Sequence, residues 1–426
     1  MPMYPHLYGE IKTDVLVIGG GLAGLLCAHR LREAGVDCVV LEADRIGRGT
    51  TGKTTGKITS QHGLIYGKLL KSKGEEAALV YWQANEKALR EYRRLAEQAD
   101  FDFETKDNYI YTRKDPRKLD REMEALLQIG IPGDFTETTD LPFPVAGAIR
   151  FRNQGQFHPL KFMGFIARDL KIYERTPVLG FDGNRVITNH GSVTAEKIIV
   201  ATHFPIFNKH GAYFLKLYQS RSYFLALNAG QKLNGMYLDA EKGGLSLRNQ
   251  GEALLLGMED HRTGKRSPGW NRVEAEAKRY YPGSKILNRW AAQDCMTLDG
   301  IAYIGQYASG TDNLYVATGF QKWGMTSTMV ASMVLTDRIL GKQNPYQQLF
   351  SPQRSMLTGQ LLINMLESTV HLLKPTVPRC PHMGCALKWN RQERSWDCPC
   401  HGSRFDEHGN LLENPATGGM KQSRSR

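Results

Sequence analysis

The glycine-rich segment near the N-terminus constrains the fold of this chain more than any other feature. An apolar run at residues 15–18 leads into Gly19-Gly20-Gly21, Gly24 follows, and a helical pattern continues to residue 34. A second apolar run at residues 38–41 ends at Glu42. In a βαβ unit these glycines allow a tight turn and close approach of a pyrophosphate, while the acid bonds a ribose hydroxyl. The pattern predicts an α/β fold that binds a dinucleotide at this turn.

The number of such fingerprints indicates which dinucleotide is bound. No second glycine fingerprint occurs later in the chain. A reductase that passes electrons from NAD(P)H through a flavin ordinarily needs two dinucleotide-binding units. We therefore expect FAD alone.

A second motif lies near the C-terminus. Cys380 and His382 are separated by one residue, and Cys398 and His401 by two. Two thiolates and two imidazoles are the ligand set of a Rieske [2Fe–2S] centre, in which two His replace two Cys on one iron. A structural zinc site accepts the same ligands, but zinc gives no reason for a further cysteine beside each pair. The motif favours a chain that moves single electrons.

Residues 378–405 resemble the cluster-binding subdomain of high-potential Rieske proteins. The resemblance implies that the four motif residues bind iron and that Cys385 and Cys400 form a disulfide between the two cluster loops. Ser403 falls where that family has a donor to a cluster sulfur, whereas Phe405 replaces a frequent tyrosine. The strands that usually precede the first ligand loop are missing from the pattern, which indicates a shortened domain.

Most of residues 10–345 resemble the glycine oxidase, D-amino-acid oxidase and sarcosine oxidase group of flavoproteins. The segments that carry this resemblance are 49–56, 156–159, 299–305 and 314–326. It implies a Rossmann-like FAD-binding domain with an inserted antiparallel-sheet substrate domain, followed here by a small all-β Rieske domain. A helix N-terminus near Gly324 would direct its amides at the flavin ring.

The fingerprint and this resemblance together assign a set of residues to FAD. They are Gly19, Gly21, Leu22, Ala23, Gly24, Glu42, Ala43, Arg48, Gly49, Thr50, Thr51, Thr54, Thr55, Gly56, Val178, Ala201, Thr202, Gly319, Gly324, Met325 and Thr326.

The same comparison divides the chain into four parts. We expect an FAD-binding domain at 1–65, 150–215 and 291–345, a substrate domain at 66–149 and 216–290, a linker at 346–375, and a Rieske domain at 376–426.

One competing motif is a Walker A pattern at residues 47–54, which would indicate a nucleotide triphosphatase. A phosphate loop follows its strand directly and leads into an apolar helix. Here residues 42–46 intervene, and residues 55–62 are polar and β-branched. Because FAD binding already accounts for these residues, we interpret the segment as part of the flavin site.

Composition sets broader limits. The chain has 426 residues, seven cysteines and a net charge of +12. It has neither a long apolar run nor a secretory leader, so we expect a cytoplasmic protein without a transmembrane segment. The basic residues are scattered apart from small groups such as the tail at 421–426, which favours a solvated surface or an acidic electron-transfer partner over nucleic acid.

Residues between the FAD motifs are the candidates for substrate binding. Arg221, Arg248, His261 and Lys322 are possible polar anchors, and each of them is equally compatible with a surface position. Some oxidases of the group have a lysine above the flavin where residues 254–257 here read Leu-Leu-Leu-Gly, which argues against fast reaction with oxygen. Non-covalent FAD is expected, although Cys295 lies near the flavin by resemblance.

These features predict a dehydrogenase. An amine or amino-acid-like substrate gives hydride to FAD, and the electrons leave singly through the cluster to an external acceptor. Two alternatives remain open: electrons enter through the cluster from a donor protein, or the cluster is a redox sensor in a flavin oxidase. A Rieske oxygenase is disfavoured because no His-His-carboxylate cluster is evident. The sequence identifies no catalytic acid or base.

Overall fold

The computed structural model describes residues 2–207 and 210–420; the basic tail at 421–426 lies outside these ranges. In the described residues the strands form three sheets. The helices are α1 (Leu22–Glu33), α2 (Tyr66–Lys73), α3 (Glu75–Ala96), α4 (Arg117–Ile129), α5 (Pro159–Ile166), α6 (Tyr213–Lys216), α7 (Trp270–Tyr280), α8 (Gly324–Ile339), α9 (Gln347–Phe350) and α10 (Gly359–Leu373).

The first sheet contains the glycine turn and is largely parallel. Its strands are β1 (Gly9–Ile18), β2 (Cys38–Leu41), β7 (Lys171–Tyr173), β8 (Val178–Asp182), β9 (Arg185–Thr188), β10 (Gly191–Val200), β16 (Tyr303–Gln306) and β17 (Leu314–Thr318). The main path runs β16-β17-β10-β1-β2-β7, with β1 parallel to both neighbours. Helices α1 and α8 pack together against it, and each is buried on most of its faces by small and apolar residues, including several serines and threonines in α8.

The second sheet is the inserted one. Its strands are β3 (Lys57–Ile58), β4 (Glu104–Thr112), β5 (Asp134–Thr136), β6 (Gly147–Gln156), β11 (Leu217–Asn228), β12 (Gly235–Asp239), β13 (Ser246–Gln250), β14 (Ala253–Arg262) and β15 (Lys285–Thr297). Pairing along β15-β11-β14-β13-β12 is antiparallel, and β12 joins β4 in parallel. The predicted class, an α/β fold with an inserted, mainly antiparallel sheet, is confirmed.

The third sheet is small and lies at the C-terminus. Its antiparallel strands are β18 (Lys388–Asn390), β19 (Ser395–Asp397), β20 (Arg404–Asp406) and β21 (Leu411–Glu413). The predicted all-β C-terminal unit is thereby confirmed. The segment expected to be a linker, 346–375, contains α9 and α10. The residue boundaries of the domains stay a prediction.

None of the described helices combines the length and the apolar character that a bilayer crossing requires.

Candidate functional site

The turn after β1 leaves no room for side chains. Gly19 has φ +115°, and a Cβ there would lie 2.4 Å from the carbonyl oxygen of Ala201. A Cβ on Gly24 would lie 2.0 Å from the carbonyl oxygen of Gly19. Glycine at both positions therefore brings the first turn of α1 directly against the strand ends. The backbone N–H of Leu22 donates to Thr51 Oγ1 at 3.0 Å, which fixes the following loop beside the helix N-terminus.

Glu42 lies at the end of β2, facing the same turn. Its carboxylate accepts hydrogen bonds from the backbone N–H groups of Gly20 at 2.7 Å and Asp44 at 2.9 Å. Burial raises the pKa of Glu42, although both hydrogen bonds oppose this shift. The carboxyl group is thereby held in the wall of a large cavity.

A cavity of about 1710 Å³ extends from the glycine turn to the inserted sheet. This volume exceeds the several hundred Å³ typical of a small-ligand site, so it can hold a dinucleotide together with a substrate. Most residues that the sequence assigned to FAD line it: Gly19, Gly21, Leu22, Ala23, Glu42, Ala43, Arg48, Gly49, Thr50, Thr51, Thr54, Thr55, Val178, Ala201, Thr202, Gly324 and Met325. These residues fit FAD, since the glycines leave the cradle that its pyrophosphate needs.

Four assigned residues, Gly24, Gly56, Gly319 and Thr326, do not line the cavity but support its wall. A Cβ on Gly56 would lie 2.5 Å from the Phe157 carbonyl oxygen, and one on Gly319 would lie 2.3 Å from Thr297 Cγ2. Thr326 Oγ1 donates to the carbonyl oxygen of Thr59 at 3.0 Å. The last contact anchors the first turn of α8, whose N-terminus opens into the cavity at Gly324.

All four candidate substrate anchors belong to the described residues, and of these four Lys322 lines the cavity. Its Nζ lies 3.1 Å from Asp294 Oδ2 and 3.6 Å from Asp260 Oδ1. Burial opposes the charge, but these two carboxylates raise the pKa of Lys322 above its usual value. Lys322 is therefore a charged group in the cavity wall at neutral pH.

The other three candidates lie elsewhere. Arg221 is buried in ion pairs with Glu393 and with Glu413, whose Oε2 is 2.9 Å from Arg221 Nη1. Arg248 donates to the carbonyl oxygen of Thr55 and so braces the loop beneath the FAD residues. The ring of His261 stacks against another aromatic ring of the inserted sheet.

Aromatic residues that the sequence did not single out also contribute to the cavity wall. The ring of His62 stacks on Trp323 with centroids 4.7 Å apart, and both residues line the cavity. His62 Nδ1 lies 2.6 Å from the hydroxyl of Tyr81. Burial lowers the pKa of His62 to about 3, so its imidazole is neutral. These residues come from separate segments, and no local pattern marks them.

The four predicted cluster ligands lie on two adjacent loops of the C-terminal unit. The rings of His382 and His401 have centroids 5.0 Å apart, and Cys380 and Cys398 are buried beside them. A hydrogen bond from Cys398 lowers the pKa of Cys380 to about 7. Burial lowers the pKa of His382 to about 4 and that of His401 to about 3. The imidazoles are thus in the neutral form that binds iron.

The surroundings of His401 provide a test of fit for a metal cluster. Both of its ring nitrogens are buried, and neither has a hydrogen-bond partner among the described residues. Such orphaned nitrogens are costly unless a ligand or ion takes the place of the partner. Together with two neighbouring thiols, they fit a [2Fe–2S] cluster ligated by two Cys and two His.

A disulfide between Cys385 and Cys400, with Cα atoms 6.7 Å apart, joins the two loops. This is the pairing that the resemblance implied. The sulfurs of Cys385, Cys398 and Cys400 lie within 4.8 Å of one another. The sulfurs of Cys385 and Cys400 are bonded to each other, so neither is a thiolate ligand. The three cysteines therefore do not constitute a zinc site.

The second cluster loop is held by side chains of the inserted sheet. Gln219 Nε2 donates to the carbonyl oxygen of His401 at 3.0 Å, and Gln293 Nε2 donates to that of Gly402 at 2.9 Å. Arg262 donates to the carbonyl oxygens of Pro399 and Cys400, each at 2.8 Å. The loop is therefore fixed against the sheet rather than exposed to solvent.

The C-terminal unit also forms part of the cavity wall, through residues between 411 and 417. Lys53 Nζ lies 2.7 Å from Glu413 Oε1. Asn414 Nδ2 donates to the carbonyl oxygen of Phe204 at 2.9 Å, next to the end of β10. The cluster loops and the cavity are consequently parts of one packed assembly.

Comparison with known proteins agrees with this geometry. The chain matches the family described as FAD dependent oxidoreductase over residues 14–338. The chain belongs to this family. Residues 359–424 of this FAD dependent oxidoreductase match the Rieske [2Fe-2S] domain. The oxidoreductase thus binds FAD and a [2Fe–2S] cluster, which confirms the cofactor and enzyme predictions.

Relatives of the oxidoreductase differ in how much of its length they match. It is 31% identical, over 99% of its length and 95% of the relative's, to YhfW of Bacillus subtilis (strain 168), whose name describes a Rieske 2Fe-2S iron-sulfur protein. Glycine oxidase from Geobacillus kaustophilus superposes with TM-score 0.68 at 17% identity, covering 81% of this chain and 99% of that one. L-proline dehydrogenase from P. horikoshii also gives 0.68, at 19% identity, covering 82% and 98%. At these identities the two structures show a shared fold.

Proposed function

We propose that this chain is a dehydrogenase that oxidises a small amine or amino-acid-like substrate at FAD and passes the electrons through the Rieske cluster to an external one-electron acceptor. The observation that carries this proposal is the shared wall, since residues of the cluster domain line the same cavity as the glycine turn. When bound, FAD takes two electrons with a hydride and the cluster carries one at a time, so each substrate molecule reduces two acceptor molecules.

The orientation of His401 supports electron flow inside the chain. The residue is 2% exposed, and its ring centroid lies 6.1 Å from that of Phe204 and 6.3 Å from that of Phe214. The histidine side of the cluster site therefore faces the FAD domain. A cluster that served only as a sensor of external oxidants would have no need of this orientation.

The charges around Lys322 support an amine or amino acid as substrate. Lys322 can pair with a substrate carboxylate, and Asp260 and Asp294 can pair with an ammonium group. Neutral His62 and Trp323 form an aromatic part of the same cavity wall. The names of the two structural relatives, a glycine oxidase and an L-proline dehydrogenase, point to the same class of small molecule. We expect the reaction to take place in the cytoplasm.

The proposal is tested by mixing the holoprotein anaerobically with a panel of amino acids and amines. Flavin absorbance and the electron paramagnetic resonance signal of the cluster are followed in the same samples. Bleaching of the flavin followed by a reduced-cluster signal is the expected result. Bleaching without that signal would favour a flavin oxidase with a sensing cluster, and absence of bleaching with every compound would favour electron entry through the cluster.

A pair of histidine variants sharpens this test. His401→Ala should keep substrate bleaching of the flavin and lose electron exit to an added one-electron acceptor. His408→Ala is the matched control, because His408 belongs to the same domain and its side chain is exposed. Equal acceptor reduction by the two variants would contradict the proposed route.

A further inference from the structure

Helix α10 is amphipathic in the reverse sense to an ordinary surface helix. Its outward side carries large apolar residues, with Leu366 65% and Leu373 77% exposed. Its inward side carries Asn364 and His371, both buried, together with Glu367. A surface helix normally buries its apolar stripe and exposes its polar one. The full outward set is Leu362, Ile363, Met365, Leu366, Val370, Leu372 and Leu373.

Contacts of the polar side fix this orientation. Asn364 Nδ2 donates to the carbonyl oxygen of Leu215 at 3.0 Å, and Asn364 Oδ1 accepts from Arg262 Nη1 at 2.8 Å. Glu367 forms an ion pair with Lys265 at 2.5 Å. The carbonyl oxygen of His371 accepts from the backbone N–H of Ala386, in the first cluster loop, at 2.9 Å. Rotating α10 to bury its apolar side would break all of these contacts.

Two further large apolar residues are exposed near the ends of the helix in sequence. Leu357 is 88% exposed before α10, and Val377 is 85% exposed after it. We refer to these two residues and the seven outward residues of α10 as the apolar ridge. An exposed apolar helix side of this kind marks a place where another apolar body binds.

Basic groups surround the C-terminal end of the ridge. Lys265, Arg266, Lys374 and Lys388 lie close together. Burial lowers the pKa of Lys388, the positive charges of the other three residues lower it further, and Glu367 opposes the shift. Arg379 joins them by donating to the carbonyl oxygens of Leu372 and Gly384, at 3.2 and 2.6 Å. The whole chain carries +12. Such charges repel a second copy and attract an anionic surface.

We propose that the apolar ridge inserts into the interfacial layer of a membrane that contains anionic lipid, with the basic side chains near its C-terminal end (Lys265, Arg266, Lys374, Arg379 and Lys388) at the headgroups. The 15 residues of α10 span about 22 Å at 1.5 Å per residue. A crossing helix needs about 20 apolar residues, and α10 is apolar on one side, so its axis lies along the surface. The first cluster loop contacts the helix through Ala386 and Arg379, so the Rieske domain would lie next to the membrane surface.

The experiment is flotation of the holoprotein with phosphatidylcholine vesicles and with vesicles that also contain phosphatidylglycerol. We expect binding to the anionic vesicles and weakening of that binding by salt. The double variant Leu362→Gln, Leu366→Gln should bind at least about 10-fold more weakly. The control is Leu127→Gln, Leu179→Gln, which changes two leucines that are exposed elsewhere on the molecule, at 75% and 64%. Unchanged flavin and cluster spectra show that each variant is folded.

Three results would overturn the proposal. The first is no binding to either kind of vesicle, and the second is equal binding by the two double variants. The third is a concentration-dependent dimer in lipid-free solution that the ridge variant abolishes and the control does not, which would assign the ridge to a second copy of the chain. Vesicle binding is measured without substrate, so its outcome is independent of the proposed reaction.

Discussion

Gln219 on β11 connects the cluster loop with the cavity wall through a single side chain. Its Nε2 donates to the carbonyl oxygen of His401 at 3.0 Å, and its Oε1 accepts from Gln293 Nε2 at 2.7 Å and from His203 Nε2 at 3.1 Å. His203 and Gln293 both line the cavity. The side chain is buried, so these bonds form in a region of low dielectric where their geometry is well defined.

The first prediction concerns this connection. Gln219→Leu leaves the His401 carbonyl unpaired and lets the cluster loop shift. We expect cluster reduction by the flavin to slow by about 10-fold or more, with unchanged bleaching of the flavin by substrate. Anaerobic stopped-flow absorbance with freeze-quench paramagnetic resonance measures both rates. Gln98→Leu, at an exposed position, is the control, and the same transfer rate in both variants would refute a role for Gln219.

The second prediction concerns docking of the cluster domain. Arg221 is 2% exposed and pairs with Glu393 and Glu413, both from the C-terminal unit. Arg221→Met removes one of the cations that pair with these two buried carboxylates, while Arg404 remains beside both and Lys53 beside Glu413. We therefore expect a loss of about 3 kcal/mol, the lower end of the range for a broken buried pair, and faster proteolysis of the C-terminal unit. Arg185→Met removes a half-exposed arginine paired with exposed Glu10 and should cost about 1 kcal/mol or less. Thermal unfolding and limited proteolysis compare them; equal stability of the two variants would count against the interdomain assignment.

The third prediction concerns Lys57, whose Nζ donates to the Tyr237 carbonyl oxygen and to Ser246 Oγ, each at 2.8 Å. Burial, and secondarily the charge of Arg248, lower the pKa of Lys57 to about 7. The unfolded chain, with a lysine pKa of about 10.4, then binds more protons than the folded chain above pH 7. The free energy of unfolding therefore rises with pH between about 7 and 10. Below pH 7 the lysine is charged in both states, and the full cost of burying that charge lowers the stability of the fold.

Lys57→Met removes this dependence. The difference in Tm, variant minus wild type, should be most favourable to the variant at pH 6 and should decrease toward pH 9. Exposed Lys12 supplies the control, since Lys12→Met should give a constant difference. Scanning calorimetry at a series of pH values provides the measurement, and a flat profile for Lys57→Met would rule out the shifted pKa.

The fourth prediction concerns the glycine turn. Because a Cβ on Gly24 would lie 2.0 Å from the Gly19 carbonyl oxygen, Gly24→Ala must displace α1 from the strand ends. We expect FAD affinity to fall at least about 10-fold, equivalent to 1.4 kcal/mol. In Gly164→Ala the new Cβ meets no atom within 4 Å, and helix propensity favours alanine in α5. The ratio of flavin to protein absorbance after gel filtration compares the two, and full FAD content in Gly24→Ala would contradict this prediction.

Most of the correct predictions made from the sequence rest on local motifs. The glycines at 19–24 are readable because the turn, the pyrophosphate and the helix they serve are all within a few residues. Cys380, His382, Cys398 and His401 are readable for the same reason, since a metal ligand set is defined by residue type and short spacing. These patterns predicted the α/β class and the two cofactors, and the resemblance of downstream segments indicated the flavoprotein family; all of these are confirmed.

Long-range packing decided the rest. Arg221 looks like a substrate anchor in isolation, and only folding brings Glu393 and Glu413, far along the chain, against it. Gln219 belongs to no sequence motif, because its contacts with His401, Gln293 and His203 form only when distant segments of the chain pack together.

The sequence by itself determined the fold class and the cofactors, since their recognition elements are local. The tertiary structure decided that the Rieske unit shares a wall with the flavin cavity and that α10 exposes its apolar side, because both depend on which surfaces pack together. Burial and partner choice are properties of the assembled molecule, and residue type alone does not specify them.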